Sequence, residues 1–255
     1  MANNESWAKI FADFNILEHN FADSPFELTA RNIKDSCQDF TEVSQKEVRV
    51  LCKQDSREDR PQIFIDNELF ILPVRNGKYV IIKGEGYVDI PNITKEIQEY
   101  NSKLDFELET SKIGNSEMQH LDFAYASSLI RTFMNDESLV LTIRGRKYTP
   151  PFSFYVGNQH IETISVQTEV DAGYEGKDKI VLIEAKNSST DNTIIRQLFY
   201  PFKQWKQHTT KDVYLLFFEK RDDVFHIWQY GFTNENDYNS IYLMKSERYK
   251  ITNPT

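Results

Sequence analysis

The spacing of apolar positions changes period several times along this 255-residue chain, and each change marks an element. Near the start, Trp7, Ile10, Phe11, Phe14 and Leu17 recur at three- and four-residue intervals, which predicts an amphipathic helix. A second helical stretch is expected from Glu117 to Met134. Ile180 to Ile183 is a continuous apolar run rich in β-branched residues, the pattern of a strand covered on both faces. The run before it, Ile161 to Val170, alternates loosely and is rich in Ile, Val and Thr, so it reads as a strand too. Between them Gly173 to Asp178 carries two glycines and forms a turn, and the simplest assembly is an antiparallel hairpin. Beyond it, Ile194, Leu198, Phe202 and Trp205 share one face of a helix expected over Asn192 to Trp205. Thr190 or Asp191 is placed to cap that helix and Pro201 to kink it. Two more strands follow, Val213 to Phe218 and Val224 to Tyr230.

This reading puts charged side chains where an apolar strand ends. The hairpin brings Asp171 back beside Glu184, thirteen residues on. Glu184 and Lys186 are two residues apart and project from the same face; Glu169 and Asp171 do the same on the other strand. Charges at the tip of a buried strand need a partner or a task. Two carboxylates can hold a hard divalent cation that keeps several waters, and the cation lowers the pKa of such a water. A lysine beside it can orient the water and stabilise growing negative charge. That chemistry suits phosphodiester hydrolysis.

The pattern Asp171…Glu184-Ala185-Lys186 resembles the PD-(D/E)XK nuclease superfamily and, within it, the type II restriction endonucleases. Val170 stands where the family name has proline. The expected order of helix, strands, helix, strand is that of the superfamily core. The stretch from Val48 to Tyr87, with its LP-x-x-x-G-x-Y-x-I segment, is similar to a region that precedes the core in a group of type II enzymes. The resemblance implies an α/β (α+β) fold: a restriction-endonuclease-like core with a central mixed β-sheet flanked by helices, and an N-terminal α/β region. It implies a Mg²⁺-dependent endonuclease that cuts double-stranded DNA at a short sequence and acts as a homodimer, since two-fold symmetry suits the cutting of two strands. Asp171, Glu184 and Lys186 are the implied catalytic residues, with Asp171 and Glu184 on the metal. Glu117, at the start of a helix, and Glu169 are further candidate ligands; the alternatives are a helix-dipole acid for Glu117 and a strand-edge acid for Glu169. Gln197 is a candidate support for the site, or a plain helix-surface glutamine.

Charge complicates this picture. The net charge is −9, whereas phosphate contacts need local positive charge. Arg144, Arg146 and Lys147 form the best basic segment for DNA, with a solvated turn between strands as the alternative; Asn187, just after the lysine, is a further candidate DNA contact. The histidines, His19, His120, His160, His208 and His226, do not pair at metal-ligand spacing. Gly84-Glu85-Gly86 lacks the rest of a dinucleotide fingerprint, and no G-x-S-x-G elbow is present. Cys37 and Cys52 are too few for a disulfide framework, which fits a reducing cytoplasm. The start of the chain lacks the pattern of a signal peptide, and no run is long enough to cross a membrane. The softest seam, Asn101 to Glu117, divides residues 1–110, a region for recognition or dimerisation, from a nuclease core at 111–255. Two other readings stay open: a structure-specific or repair nuclease of the same fold, and a non-catalytic DNA-binding module.

Overall fold

Residues of the first third enclose a small core of their own. The computed structural model describes residues 3–187 and 189–252. Helices α1 (Asn4–Asp13), α2 (Ala30–Ser36), α3 (Val43–Lys46), α4 (Val48–Leu51) and α5 (Gln62–Asp66) surround an antiparallel sheet, in the order β1 (Phe26–Thr29), β3 (Lys78–Lys83), β2 (Leu69–Arg75). Thr29 and Asn32 form a capping box at the start of α2, each side chain serving the other's backbone N–H. Trp7, Ile10 and Phe11 turn inward from α1 onto Phe64 and Ile81. Leu17 does not join them: α1 stops at Asp13 and Leu17 is exposed.

The larger sheet is mixed and flanked by helices, as the sequence led one to expect. Its seven strands run in the order β5 (Gln98–Asn101), β14 (Ile241–Thr252), β13 (Val224–Phe232), β12 (Asp212–Arg221), β10 (Lys179–Lys186), β9 (Gln167–Glu175), β6 (Val140–Tyr148). β10 pairs parallel with β12 and β14 parallel with β5; the other neighbours are antiparallel. Both faces of β10 are covered. Val181, Ile183 and Ala185 pack with Leu216 and Phe218 under α6 (Glu117–Ala126) and α7 (Leu129–Met134). Ile180 and Leu182 pack with Leu215 and Phe217 against Leu198 and Phe202 of α8 (Arg196–Lys206). Truncating a residue such as Phe217, fully buried here, costs about 3–5 kcal/mol.

Several boundaries differ from the expected ones, each for a local reason. The helix expected over Glu117 to Met134 is two helices, because Ser128 takes a left-handed conformation with φ of 64°. The strand expected over Ile161 to Val170 is also two. β8 (Gln159–Thr163) pairs with β7 (Phe152–Val156) in a separate hairpin, and β9 starts at Gln167. β9 then continues through Asp171 to Glu175, so Asp171 lies inside the strand and the turn is shorter than expected. Asn192–Ile194 is a short strand, β11, paired with β4 (Tyr87–Asp89), which delays α8. Ile195 is therefore the residue before α8, and neither Thr190 nor Asp191 caps it. The helix runs through Pro201 to Lys206.

Residues before 110 also reach beyond the first core. β5 joins the larger sheet beside β14, and β4 pairs with β11 in a separate two-stranded sheet, so elements from both sides of the seam at Asn101 to Glu117 pair with each other. No helix is long and apolar enough to cross a membrane among the described residues. Cys37 and Cys52 are free thiols.

Candidate active site at the end of the central hairpin

The site forms where β9 and β10 part. Their ladder ends with Ile183 opposite Ala172, so Glu184 and Asp171 are the first residues beyond it. β9 is also irregular here on its other side. Its pairing with β6 steps from Gly173 opposite Ile143 to Val170 opposite Gly145, which leaves an extra residue around Asp171. Such a bulge bends a strand and re-aims a side chain. Gly145 has φ of 74°, a conformation that favours glycine, at the same irregularity on β6. Released from regular pairing, Asp171 accepts the backbone N–H of Ala185 through Oδ2 at 2.8 Å. The carboxylate thus takes the place of a ladder carbonyl and pins the two strands together.

Glu184 and Lys186 lie on one face of β10, as predicted, and Lys186 Nζ meets Glu184 Oε1 at 2.5 Å. Glu184 is 9% exposed. Burial pushes its pKa up to about 7, and the charges of Asp171 and Asp55 add to the rise; Lys186 opposes it. Asp171 is also raised, first by burial and then by Glu117 and Glu169, against the pull of the Ala185 N–H and Lys186. Burial alone would lower the pKa of Lys186, but Glu184, Asp55 and Asp171 outweigh it and hold the ammonium above its ordinary value. Two carboxylates thus share a poorly solvated pocket with one ammonium, and both resist ionisation. A hard divalent cation would relieve that repulsion, so the donor set fits one. Among the described residues no three His, Cys, Asp or Glu side chains converge at ligand spacing; Asp171 accepts from Ala185 and Glu184 pairs with Lys186.

The other predicted residues divide into two groups. Glu117, in the first turn of α6, accepts the backbone N–H of Asn187 at 3.0 Å, which places it beside the end of β10. Asn187 is exposed and donates through Nδ2 to the carbonyl of Asn115 at 2.5 Å. Gln197 lines a small crevice with Glu184, Glu169 and Pro201, and its Oε1 accepts the Thr193 hydroxyl at 2.5 Å. Glu169 is exposed and pairs with Arg146 at 3.2 Å. The basic segment lies on strand β6, not on a turn. Arg144 is paired to Asp122, Arg146 to Glu169, and Lys147 is exposed with no carboxylate partner among the described residues. Lys206 and Lys211 are also paired, to Glu235 and Glu175.

Two residues near the site escaped the sequence reading. Asp55 belongs to the first third of the chain, yet its charge acts on both Glu184 and Lys186, and it faces Arg196 at 3.7 Å. Glu219 is fully buried on β12 in register with Lys186, paired to Arg221 at 2.6 Å. Glu219 follows directly on the apolar run Val213 to Phe218 and precedes Lys220 and Arg221, so the sequence shows it only as the first of three charges at a strand end; Asp55 left no signal.

The family model for a domain of unknown function, DUF6997, matches residues 82–250. The chain belongs to the DUF6997 family. A second family model, for the domain of unknown function DUF6996, matches residues 4–81. No curated protein and no solved structure matches the chain. The DUF6997 stretch contains the whole of the Asp171–Lys186 hairpin, α6 and α8. Its boundary with the DUF6996 stretch falls inside β3.

Proposed function

We propose that this chain is a Mg²⁺-dependent deoxyribonuclease of the PD-(D/E)XK type that hydrolyses double-stranded DNA at a short specific sequence. The observation that carries the reading is the meeting of Asp171, Glu184 and Lys186 where β9 and β10 part. The element order supports it: α6 and α7, then β6, β9 and β10 as antiparallel neighbours with the β7–β8 hairpin inserted after β6, then β11 and α8, then β12 parallel to β10.

Asp171 and Glu184 would hold the cation, which would supply an activated water and neutralise charge on the phosphate. Glu184 must be ionised for that role; burial opposes that ionisation, and a bound cation would favour it. Lys186 stays protonated, and its Nζ donates to the attacking water or to the non-bridging oxygens as charge accumulates there. Ala185 keeps Asp171 oriented through its N–H, and Glu117 ties the backbone after Lys186 to α6. A homodimer in the cytoplasm, with one site per DNA strand, completes the proposal.

The direct test is incubation with unmethylated plasmid and phage DNA in Mg²⁺, with branched substrates in parallel. Discrete fragments support a site-specific enzyme. A smear, or cutting of the branched substrates alone, overturns the specificity and leaves a nuclease of the same fold. One observation favours the binding-module reading, the Lys186–Glu184 ion pair at 2.5 Å, which keeps both groups occupied. Duplex binding without any cutting would establish that alternative.

A further inference from the structure

The backbone that leaves Lys186 does not run freely to α8. Asn187 is held by Glu117 on one side. On the other, residues from the first third of the chain and from β4 take hold of the connector. The carbonyl of Asp191 accepts the N–H of Ile90, at 2.8 Å; the N–H of Ile194 donates to the carbonyl of Asp55, at 2.8 Å; and that of Ile195 donates to the carbonyl of Gly86, at 3.0 Å. At the centre is Asn192, 3% exposed. Its Oδ1 accepts the N–H of Arg57 at 2.7 Å, and its Nδ2 donates to both carboxylate oxygens of Glu58, at 3.1 and 2.9 Å. Arg57 in turn pairs with Asp89 at 2.5 Å and Glu85 at 3.3 Å, on or beside β4. One side chain therefore satisfies its donor and its acceptor on the DUF6996 stretch while sitting six residues after the candidate lysine.

We propose that Asn192 is a positioning residue through which residues 54–58 set the geometry of the connector between Lys186 and Gln197, so that the N-terminal region controls the active site. The proposal rests on the nuclease reading for its functional half. The physical argument is local. A buried amide with both ends satisfied admits one orientation, whereas an unpaired one is costly. β11 is only three residues long, too short to hold itself by pairing with β4. Thr193, the next residue, grips Gln197. Displacement of residues 54–58, for example when the N-terminal region engages DNA, is thereby transmitted to both ends of the connector. The alternative role for the same contacts is simple adhesion between two parts of the chain, with no effect on the site.

The test uses the full-length protein. Asn192→Ala removes both contacts. Asn192→Asp sets a carboxylate against Glu58, and the double variant Asn192→Asp/Glu58→Gln restores a donor and an acceptor with their places exchanged. Amide hydrogen exchange, measured without DNA or metal, should rise across residues 189–195 in Asn192→Ala and Asn192→Asp, and return to the wild-type level in the double variant. Single-turnover cleavage in Mg²⁺ should fall by at least about tenfold in both single variants, as expected for a site displaced by a fraction of an ångström, and recover in the double variant. Duplex affinity measured in Ca²⁺ should stay within about twofold in all of them. Unchanged exchange in a folded Asn192→Ala protein overturns the clamp. Raised exchange with wild-type cleavage reduces it to adhesion and overturns the control of the site. If the wild-type protein cuts no DNA, the nuclease reading fails by itself, and the exchange measurements still decide whether Asn192 holds the connector.

Discussion

The Asp171–Lys186 cluster and the Arg144–Lys147 segment stand on neighbouring strands of one sheet, and water treats them in opposite ways. The acids are desolvated, share one ammonium between them, and are both pushed toward the neutral form. The basic segment is half-buried or exposed, and its two arginines are neutralised by Asp122 and Glu169. Charge clustering in the sequence was equally visible in both. Burial makes the difference: an unrelieved charge out of water stores free energy that chemistry or a cation can release, while an exposed ion pair contributes about 0–1 kcal/mol. Under the proposed function the hairpin is therefore the place for chemistry, and the basic segment, with both arginines already paired, is the weaker docking surface.

The largest effects should come from the acids. Asp171→Asn or Glu184→Gln should lower Mg²⁺-dependent cleavage by on the order of 10²–10³-fold or more, with duplex binding retained in Ca²⁺. Near-normal cutting by either variant would remove the metal assignment. Lys186→Ala should lose about 10²-fold in single-turnover rate with little change in affinity. A fall in affinity with unchanged chemistry would make Lys186 a phosphate contact instead.

Next comes the backbone that frees Asp171. A Cβ on Gly173 would meet Cβ of Ile143 at 2.6 Å, inside the irregular pairing of β6 and β9. Gly173→Ala should destabilise the protein by about 1–3 kcal/mol in urea unfolding. No loss of stability would mean that the two strands have room to separate.

A smaller and reversible effect is expected from pH. The folded-state pKa of Glu184, about 7, lies above its ordinary value of 4.5, so the native state binds the proton more tightly. This contribution to stability is full below about 4.5 and is lost as pH rises through about 7. Tm should therefore fall over that window, less so in Glu184→Gln, and Mg²⁺ should restore part of it above pH 7. A Tm profile that Glu184→Gln leaves unchanged would show that the carboxylate is better solvated than its burial implies.

The smallest effect should be that of the triple variant Arg144→Ala, Arg146→Ala and Lys147→Ala on duplex binding. With both arginines paired internally, the slope of log affinity against log salt should fall by about one unit, from Lys147 alone. A fall of about three units would show that DNA displaces the two carboxylates, and would return the segment to the interface.

Much of the site was legible because it is local. The apolar run of β10, Gly176 in the turn and the spacing of Glu184 and Lys186 determine, by themselves, a hairpin with its charges at one end; Gly173, read with the turn, belongs to β9 opposite Leu182. The amphipathic face of α8, with Leu198 and Phe202 inward, was equally legible from period, and the mixed sheet flanked by helices is the one that the family resemblance implied. Other features were settled by tertiary structure alone. The bulge that re-aims Asp171 depends on how β6 pairs with β9, and the pairing of Arg144 with Asp122 on the meeting of β6 with α6. Residues 192–194 have a helical pattern but form a strand, because β4, about a hundred residues earlier, offers them a partner. Asp55 acts on Glu184 from 129 positions away, and Asn192 is held by Arg57 from 135 positions away. Periodicity reports which face of an element avoids water. It holds no record of which distant backbone group will satisfy a buried amide or carboxylate, and at this site those distant groups set the geometry.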